Sequence, residues 1–133
     1  MQIAPALVDE LIAHAREDAP NECCGVIAVE GSGSQTRAAR VHRATNTAAS
    51  PLRFEVDGLE VLRLIEQIES EGHELGAIYH SHTRTAPYPS QTDINFAAHW
   101  PGVEWVIVGL TDHDAPELRS YLIDGGRVDE VVL

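Results

Sequence analysis

Lysine is absent from this 133-residue sequence, and cysteine occurs only twice, at the adjacent positions Cys23 and Cys24. Without lysine, no side-chain amine of this chain can accept an isopeptide bond. Two cysteines cannot build a disulfide framework, and a bridge between neighbouring residues has unfavourable geometry. We therefore expect both thiols to be reduced, as in the cytoplasm.

Long apolar runs are also missing. No stretch approaches the roughly 20 residues that a bilayer-spanning helix needs. The first residues lack the basic start and the apolar core of a secretory signal. We therefore predict a cytoplasmic protein that has no membrane partner.

Positive charge is scarce, with nine arginines against 21 acidic residues and a formal net charge of −12. Such a surface repels a phosphate backbone, so nucleic acid is not a predicted partner. The hydrophobic fraction of 44% and the charged fraction of 23% are those of an ordinary globular protein. A chain of this length can bury one core, and we predict a single domain over residues 1–133.

Hydrophobic periodicity predicts a succession of helices and strands. Helices are predicted at 5–18, 58–71 and 90–99, and strands at 23–29, 36–43, 75–82, 104–110, 117–123 and 127–133. The apolar stripe of the second helix is assigned to Leu59, Leu62, Ile65 and Ile68. This order favours an α/β fold of mixed α+β type, in which a curved mixed β-sheet is packed by two long helices and one short helix.

The strongest chemical motif is His80-Ser81-His82 at the end of a predicted strand, followed by Ser90 and Asp93. Alternate residues of a strand point to the same face, so the two histidines project side by side. Ser90 and Asp93 fit the start of a helix. If the strand end and the helix start meet, two imidazoles and a carboxylate form a three-ligand site with a fourth position open, as in catalytic zinc. A polar strand face and a simple capping box are the alternative interpretations.

Ser90 and Glu22 are candidates for catalytic groups around such a metal. Ser90 either caps the helix alone or also donates a hydrogen bond to the oxyanion of a tetrahedral intermediate. Glu22 precedes an apolar run at a strand mouth, where it is either a solvated acid or the general base for the attacking water. The five other histidines have no comparable neighbours, and we expect them to lie on the surface or to be half-buried.

These residues resemble the JAMM metalloproteases, the metal-binding members of the MPN domain family. The family pattern is an upstream glutamate, then H-x-H, seven residues, and S-x-x-D. Its elements in this sequence are Glu22, His80, His82, Ser90 and Asp93, with residues 83–89 as the seven-residue gap. The glutamate region 21–25 and the loop 46–54, followed by Asp57, are similar to the family too, so the resemblance spans about residues 1–110.

The resemblance implies a single MPN/JAMM domain of the short, stand-alone prokaryotic kind. Such an enzyme is a zinc-dependent peptidase or isopeptidase that cuts after the C-terminal diglycine of a ubiquitin-like sulfur carrier protein. The group released is a C-terminal cysteine or a lysine-linked protein. The implied partners are therefore the carrier protein and its conjugates. The resemblance also leaves open whether the chain forms a homodimer.

The resemblance also implies the role of each motif residue. One Zn²⁺ per chain is held by His80, His82 and Asp93, with water as the fourth ligand. Glu22 holds and deprotonates that water and passes the proton to the leaving amine. Ser90 steadies the oxyanion.

Two other functions compete with this interpretation. A non-catalytic MPN-type module would dock a ubiquitin-like partner around a vestigial metal site, and the complete set of five motif residues weighs against it. An iron oxygenase with two histidines and one carboxylate is the other candidate. That class needs a jelly roll of many short strands, whereas helices lie between the strands predicted here.

Overall fold

The helices and strands of the chain, taken from a computed structural model that describes residues 1–133, follow the predicted order. The helices are α1 (Pro5–Asp18), α2 (Gly58–Ser70) and α3 (Gln91–Ala97), and a 3₁₀ turn covers Gly33–Gln35. The strands are β1 (Cys24–Glu30), β2 (Arg37–Ala44), β3 (Glu74–His82), β4 (Glu104–Gly109), β5 (Glu117–Asp124) and β6 (Arg127–Val131). None of the helices combines the length and the hydrophobicity that a bilayer crossing requires.

All six strands form one open sheet in the order β2-β1-β3-β4-β5-β6. The pair β3 and β4 is parallel, because the connection between them carries α3, and the other neighbouring pairs are antiparallel. The predicted α/β class with a mixed sheet and three helices is therefore confirmed.

Strand β3 lies inside the sheet between β1 and β4, and its last six residues, 77–82, are all buried. Its side chains alternate between two apolar cores. Ala77 and Tyr79 belong to the core that includes residues of α1, whereas Ile78 belongs to the core that includes Ala97 of α3. Because of this alternation, His80 and His82 follow Ile78 onto the face that α3 covers.

The predicted apolar stripe of α2 is half wrong. Leu59 and Leu62 are 57% and 51% exposed, whereas Ile68 is 1% exposed. The buried side is formed instead by Val61, Leu64, Ile65 and Ile68, at the i, i+3, i+4, i+7 spacing of one helix face. Both sets of residues satisfy a helical period, so the rotation of α2 about its axis was decided by contact with the sheet.

Two histidines expected at or near the surface are buried. His14 on α1 is 4% exposed, with its Nδ1 atom 2.7 Å from the Tyr79 hydroxyl and its Nε2 atom 3.3 Å from a carboxylate oxygen of Asp18. His42 is 5% exposed. The partner of His14 lies 65 residues away in sequence, so a local pattern cannot identify it.

Cys23 and Cys24 are both free and buried, and no disulfide joins them. Burial is the main reason why the pKa of each thiol is raised to about 12. Both side chains therefore stay protonated and pack as small apolar groups.

Candidate metal centre

The end of β3 and the start of α3 meet, and they bring His80, His82 and Asp93 together. The two histidine Nε2 atoms are 3.1 Å apart, and the Asp93 Oδ2 atom lies 3.1 Å from that of His80 and 3.3 Å from that of His82. Four ligand atoms around a tetrahedral zinc ion, with bonds of about 2.1 Å, lie about 3.4 Å apart. The spacing of these three atoms therefore fits three corners of a zinc tetrahedron with little rearrangement.

His82 is oriented by a hydrogen bond on the other side of its ring. Its Nδ1 atom lies 3.0 Å from the carbonyl oxygen of Ala86, in the loop that follows β3. A carbonyl can only accept, so Nδ1 carries the proton and the lone pair of Nε2 is directed toward His80 and Asp93. Such a second contact is the usual way in which a protein fixes a metal-binding imidazole.

Asp93 is oriented by the predicted capping box at the start of α3, which is present. The Ser90 hydroxyl accepts a hydrogen bond from the Asp93 N–H at 3.1 Å, and the Ser90 N–H donates to Asp93 Oδ2 at 2.9 Å. The capping interpretation and the ligand interpretation of Asp93 are therefore compatible. The cap holds the same oxygen atom that faces the two histidines.

The protonation states of Asp93 and His80 favour a cation, whereas for His82, although burial opposes it, hydrogen bonding to Asp93 and Ala86 raises the pKa. Although burial opposes it, hydrogen bonding to His80 and His82 holds the pKa of Asp93 well below its usual range. Burial lowers the pKa of His80, which is completely enclosed. An ionised carboxylate and a neutral imidazole are the protonation states in which these side chains bind metals.

Glu22 lies beside the three residues but makes no side-chain hydrogen bond to them. A ligand atom of Glu22 and the ring nitrogens of His80 and His82 all lie within 4.8 Å of one another. The side chain is 4% exposed, and its Oε1 atom is buried without a hydrogen-bond partner. An orphaned carboxylate oxygen at this distance suits a group that contacts a metal-bound water better than one that binds the metal directly.

Burial also makes the Glu22 carboxyl an unusually weak acid. It raises the pKa of this carboxyl to about 7; Asp93 raises it further, whereas His82 acts in the opposite direction. A group with such a pKa can take up a proton and return it near neutral pH.

Ser90 occupies the rim of the cluster and is exposed. One lone pair of its hydroxyl accepts the hydrogen bond from the Asp93 N–H. Its own O–H proton makes no hydrogen bond within the chain, so it is free to donate. A helix cap and a donor toward a reacting oxygen can therefore be the same side chain.

Sequence reasoning missed two contacts of this cluster. The carbonyl of Ala86 on His82 is a backbone group, and no residue-type signal marks it. The ring of Phe54 stacks on His80 with ring centroids 4.8 Å apart and an interplanar angle of 30°. Phe54 lies in the short extended stretch 52–56, where no residue-type signal links it to His80, so only its position in the fold gives it this role.

Known proteins with similar sequences belong to one group. The family model of prokaryotic homologs of the JAB domain matches residues 4–124. The CysO-cysteine peptidase of Mycobacterium tuberculosis is 40% identical over 124 residues, which cover 93% of this chain and 83% of that protein. A desampylase of Haloferax volcanii is 38% identical over 112 residues, which cover 80% of this chain and 78% of that protein.

Solved structures repeat the same architecture. A solution structure of a protein from Desulfitobacterium hafniense has a TM-score of 0.88 at 30% identity and covers 98% of this chain and 88% of its own. A structure described as a JAMM metalloprotease-like zinc site in the proteasome and signalosome has a TM-score of 0.61 at 17% identity, with coverage of 100% and 94%. At 17% identity, the similarity to this second structure shows only that the two proteins share a fold.

Proposed function

This chain belongs to the family of prokaryotic JAB-domain homologs, and from that membership we propose that it is a JAMM-type zinc hydrolase of ubiquitin-like conjugates. The bond it cuts is the peptide or isopeptide bond after the C-terminal diglycine of a sulfur carrier protein. Relatives named as a CysO-cysteine peptidase and a desampylase support this class of reaction. The released group is a C-terminal amino acid such as cysteine, or a lysine-linked protein.

The observation that carries the proposal is the convergence of two imidazoles and one ionised carboxylate beside a buried, unpaired glutamate. His80, His82 and Asp93 would hold one Zn²⁺, with water as the fourth ligand. When bound, zinc supplies Lewis-acid polarisation of a scissile carbonyl and lowers the pKa of a bound water. Nitrogen and oxygen donors with an open position are the ligand set of catalytic zinc.

The remaining chemistry belongs to Glu22 and Ser90. Glu22 takes a proton from the attacking water and later gives it to the departing amine, which leaves as a neutral product. The Ser90 O–H donates to the carbonyl oxygen as negative charge develops on it. Burial of Glu22 keeps its proton away from bulk water between the two transfers.

The enclosed position of the cluster accounts for a substrate with two glycines beside the scissile bond. A residue without a side chain lets the substrate backbone approach the enclosed cluster without steric clash. An extended tail can also gain main-chain hydrogen bonds along a strand. With a net charge of −12, this chain favours a partner with a neutral or basic face and disfavours nucleic acid.

A panel of substrates tests the proposal. The zinc-loaded protein is incubated with sulfur carrier proteins that bear a C-terminal cysteine or a lysine-linked peptide, with ubiquitin chains, and with a generic unfolded protein. Mass spectrometry is expected to show cleavage after the carrier diglycine and none of the unfolded protein. Cleavage of the unfolded protein alone would indicate a broad peptidase, whereas binding of a carrier without turnover would favour the non-catalytic docking module.

Two substitutions of Ser90 should separate its contribution to catalysis from its contribution to stability. Ser90→Ala is expected to lower kcat by about 10²–10³, because one oxyanion donor is lost, and to lower stability by about 1 kcal/mol, because the cap is lost. Ser90→Asp keeps a capping oxygen but places an anion where negative charge develops. It should therefore recover the thermal midpoint while kcat stays low. Recovery of both in Ser90→Asp would reduce Ser90 to a helix cap.

A further inference from the structure

The loop between β2 and α2, residues 45–57, holds the backbone of Glu22 from both sides. The Glu22 N–H donates to the carbonyl of Ser50 at 2.9 Å. The Glu22 carbonyl accepts from the side-chain Nδ2 of Asn46 at 3.0 Å. Glu22 lies two residues before the start of β1, so this loop supplies the backbone hydrogen bonds of Glu22 outside the sheet ladder.

Asn46 uses its whole side-chain amide to tie the loop together. Its Nδ2 group donates to the carbonyls of Glu22 and Arg53, both at 3.0 Å. Its Oδ1 atom accepts from the N–H groups of Ala48 at 3.0 Å and Glu55 at 3.1 Å. Two donors and two accepting lone pairs are all that an asparagine amide has. One side chain therefore links the backbone of Glu22 to the two residues that flank position 54.

Phe54, between those two anchored residues, stacks on the ring of His80. Unlike His82, His80 has no hydrogen bond on its second nitrogen, and its Nδ1 atom is buried without a partner. Metal-binding histidines are usually oriented through that nitrogen. The orientation of His80 therefore depends on aromatic packing, by Phe54 on its face and by Trp105 edge-on at 6.3 Å.

The Phe54 ring has space to move if its backbone is released. It lines an apolar cavity of about 60 Å³ under α2, together with Val61 and Ile65. Packing alone does not close that side of the ring. The two hydrogen bonds from Asn46 anchor both neighbours of Phe54, and Thr47 and Phe96 add contacts to the same segment.

We infer that Asn46 is a positioning residue of the metal centre. Its side chain holds the backbone of Glu22, the proton-accepting group, and through Phe54 it also holds the ring of His80, a metal ligand. The inference rests on the proposed function for the role of Glu22. Displacement of a reacting group by about 1 Å can lower the rate by about 10². Loss of a group that supports a metal ligand typically weakens metal binding by about 10–100-fold.

Four variants test this inference: Asn46→Ala, Phe54→Leu, the combination of both, and Thr47→Val as the matched control. Thr47 is exposed, lies next to Asn46, and its hydroxyl donates to the Glu55 carbonyl at 3.2 Å within the same loop. It contacts neither Glu22 nor His80, and its N–H still donates to the Glu55 carbonyl at 2.9 Å after the substitution. The variant therefore reports the effect of removing one side-chain hydrogen bond from the loop. The measurements are zinc affinity by competition with a chromophoric chelator, the thermal midpoint, and kcat and KM with a carrier fusion.

Phe54→Leu is expected to lower zinc affinity by about 10-fold or more. Asn46→Ala is expected to lower zinc affinity similarly and kcat by about 10–100-fold, with KM within about threefold of the wild type. The combined variant should bind zinc no more weakly than the worse single variant, because Asn46 acts on His80 through Phe54. Thr47→Val should change none of these values by more than about threefold, whatever its thermal midpoint.

If Asn46→Ala had the same kcat and zinc affinity as Thr47→Val, the inference would be overturned. If the losses of zinc affinity in Asn46→Ala and Phe54→Leu added up in the combined variant, the route through Phe54 would be overturned. If Asn46→Ala fails to fold, Asn46→Asp keeps both accepted hydrogen bonds and removes both donated ones, and the same losses are expected. A wild-type protein that binds zinc but cleaves no carrier would contradict the proposed function. The zinc affinities would still decide the role of the loop.

Discussion

Replacement of Glu22 by glutamine is expected to lower kcat by about 10²–10⁴, the usual contribution of a general base, while the zinc content stays at one ion per chain. The amide has nearly the shape of the carboxylate but cannot take a proton from the attacking water. Glu22 is buried, and its Oε1 atom has no hydrogen-bond partner, so the substitution breaks no side-chain hydrogen bond. Measurement of kcat with a carrier fusion, beside zinc analysis of the same sample, checks this result.

Two further variants make the Glu22 experiment specific. Glu22→Asp keeps the proton acceptor but withdraws it by one methylene, so it should have a kcat between that of the wild type and that of Glu22→Gln. Glu10→Gln makes the same chemical change on the exposed side of α1 and should leave kcat unaltered. If zinc-loaded Glu22→Gln retained a kcat within threefold of the wild type, another group would have to be the base.

Replacement of His82 by alanine is expected to weaken zinc binding by more than about 100-fold, because even residues that only support a metal ligand contribute 10–100-fold. In the proposed site, His82 would supply one of three ligand atoms, which lie 3.1–3.3 Å apart. Activity should fall with the metal. Zinc at 100 times its Kd stabilises the wild type by about 2.7 kcal/mol, or about 10 °C in the thermal midpoint, and this increase should be absent in the variant.

The histidine experiment has a control within the same region. His99 follows α3 and is exposed, so His99→Ala should keep both the zinc content and the zinc-dependent rise in the thermal midpoint. Equal, stoichiometric zinc in His82→Ala and in the wild type would show that His82 is not a ligand.

Much of the cluster could be predicted because its geometry is local. His80 and His82 share a face because side chains alternate along any strand. Ser90 and Asp93 form a capping box because the third helical position follows the helix cap by three positions. Such relations need only the backbone conformation of a few successive residues, and residue types reveal that conformation.

The tertiary structure decided the contacts whose partners are far apart in the chain. Asn46 bonds to the carbonyl of a residue 24 positions earlier, and Phe54 stacks on a histidine 26 positions later. The packing of separate elements also decides which side of α2 is buried. It likewise decides that His14 is buried against Tyr79. A hydrogen bond or a stacked ring between distant segments forms only after the loops have closed and the cores have packed. No local pattern of residue types records that outcome.

By itself, the sequence determined the fold class, the strand and helix that carry the metal-binding motif, and the spacing of that motif. These follow from hydrophobic periodicity and from hydrogen bonding among near neighbours, which depend on residue type alone. Only the tertiary structure decided how Glu22 and His80 are held in register with each other. Their relative position depends on the pairing of β1 with β3, in which Cys24 lies opposite His80, and on a loop that hydrogen-bonds to Glu22 and stacks Phe54 on His80.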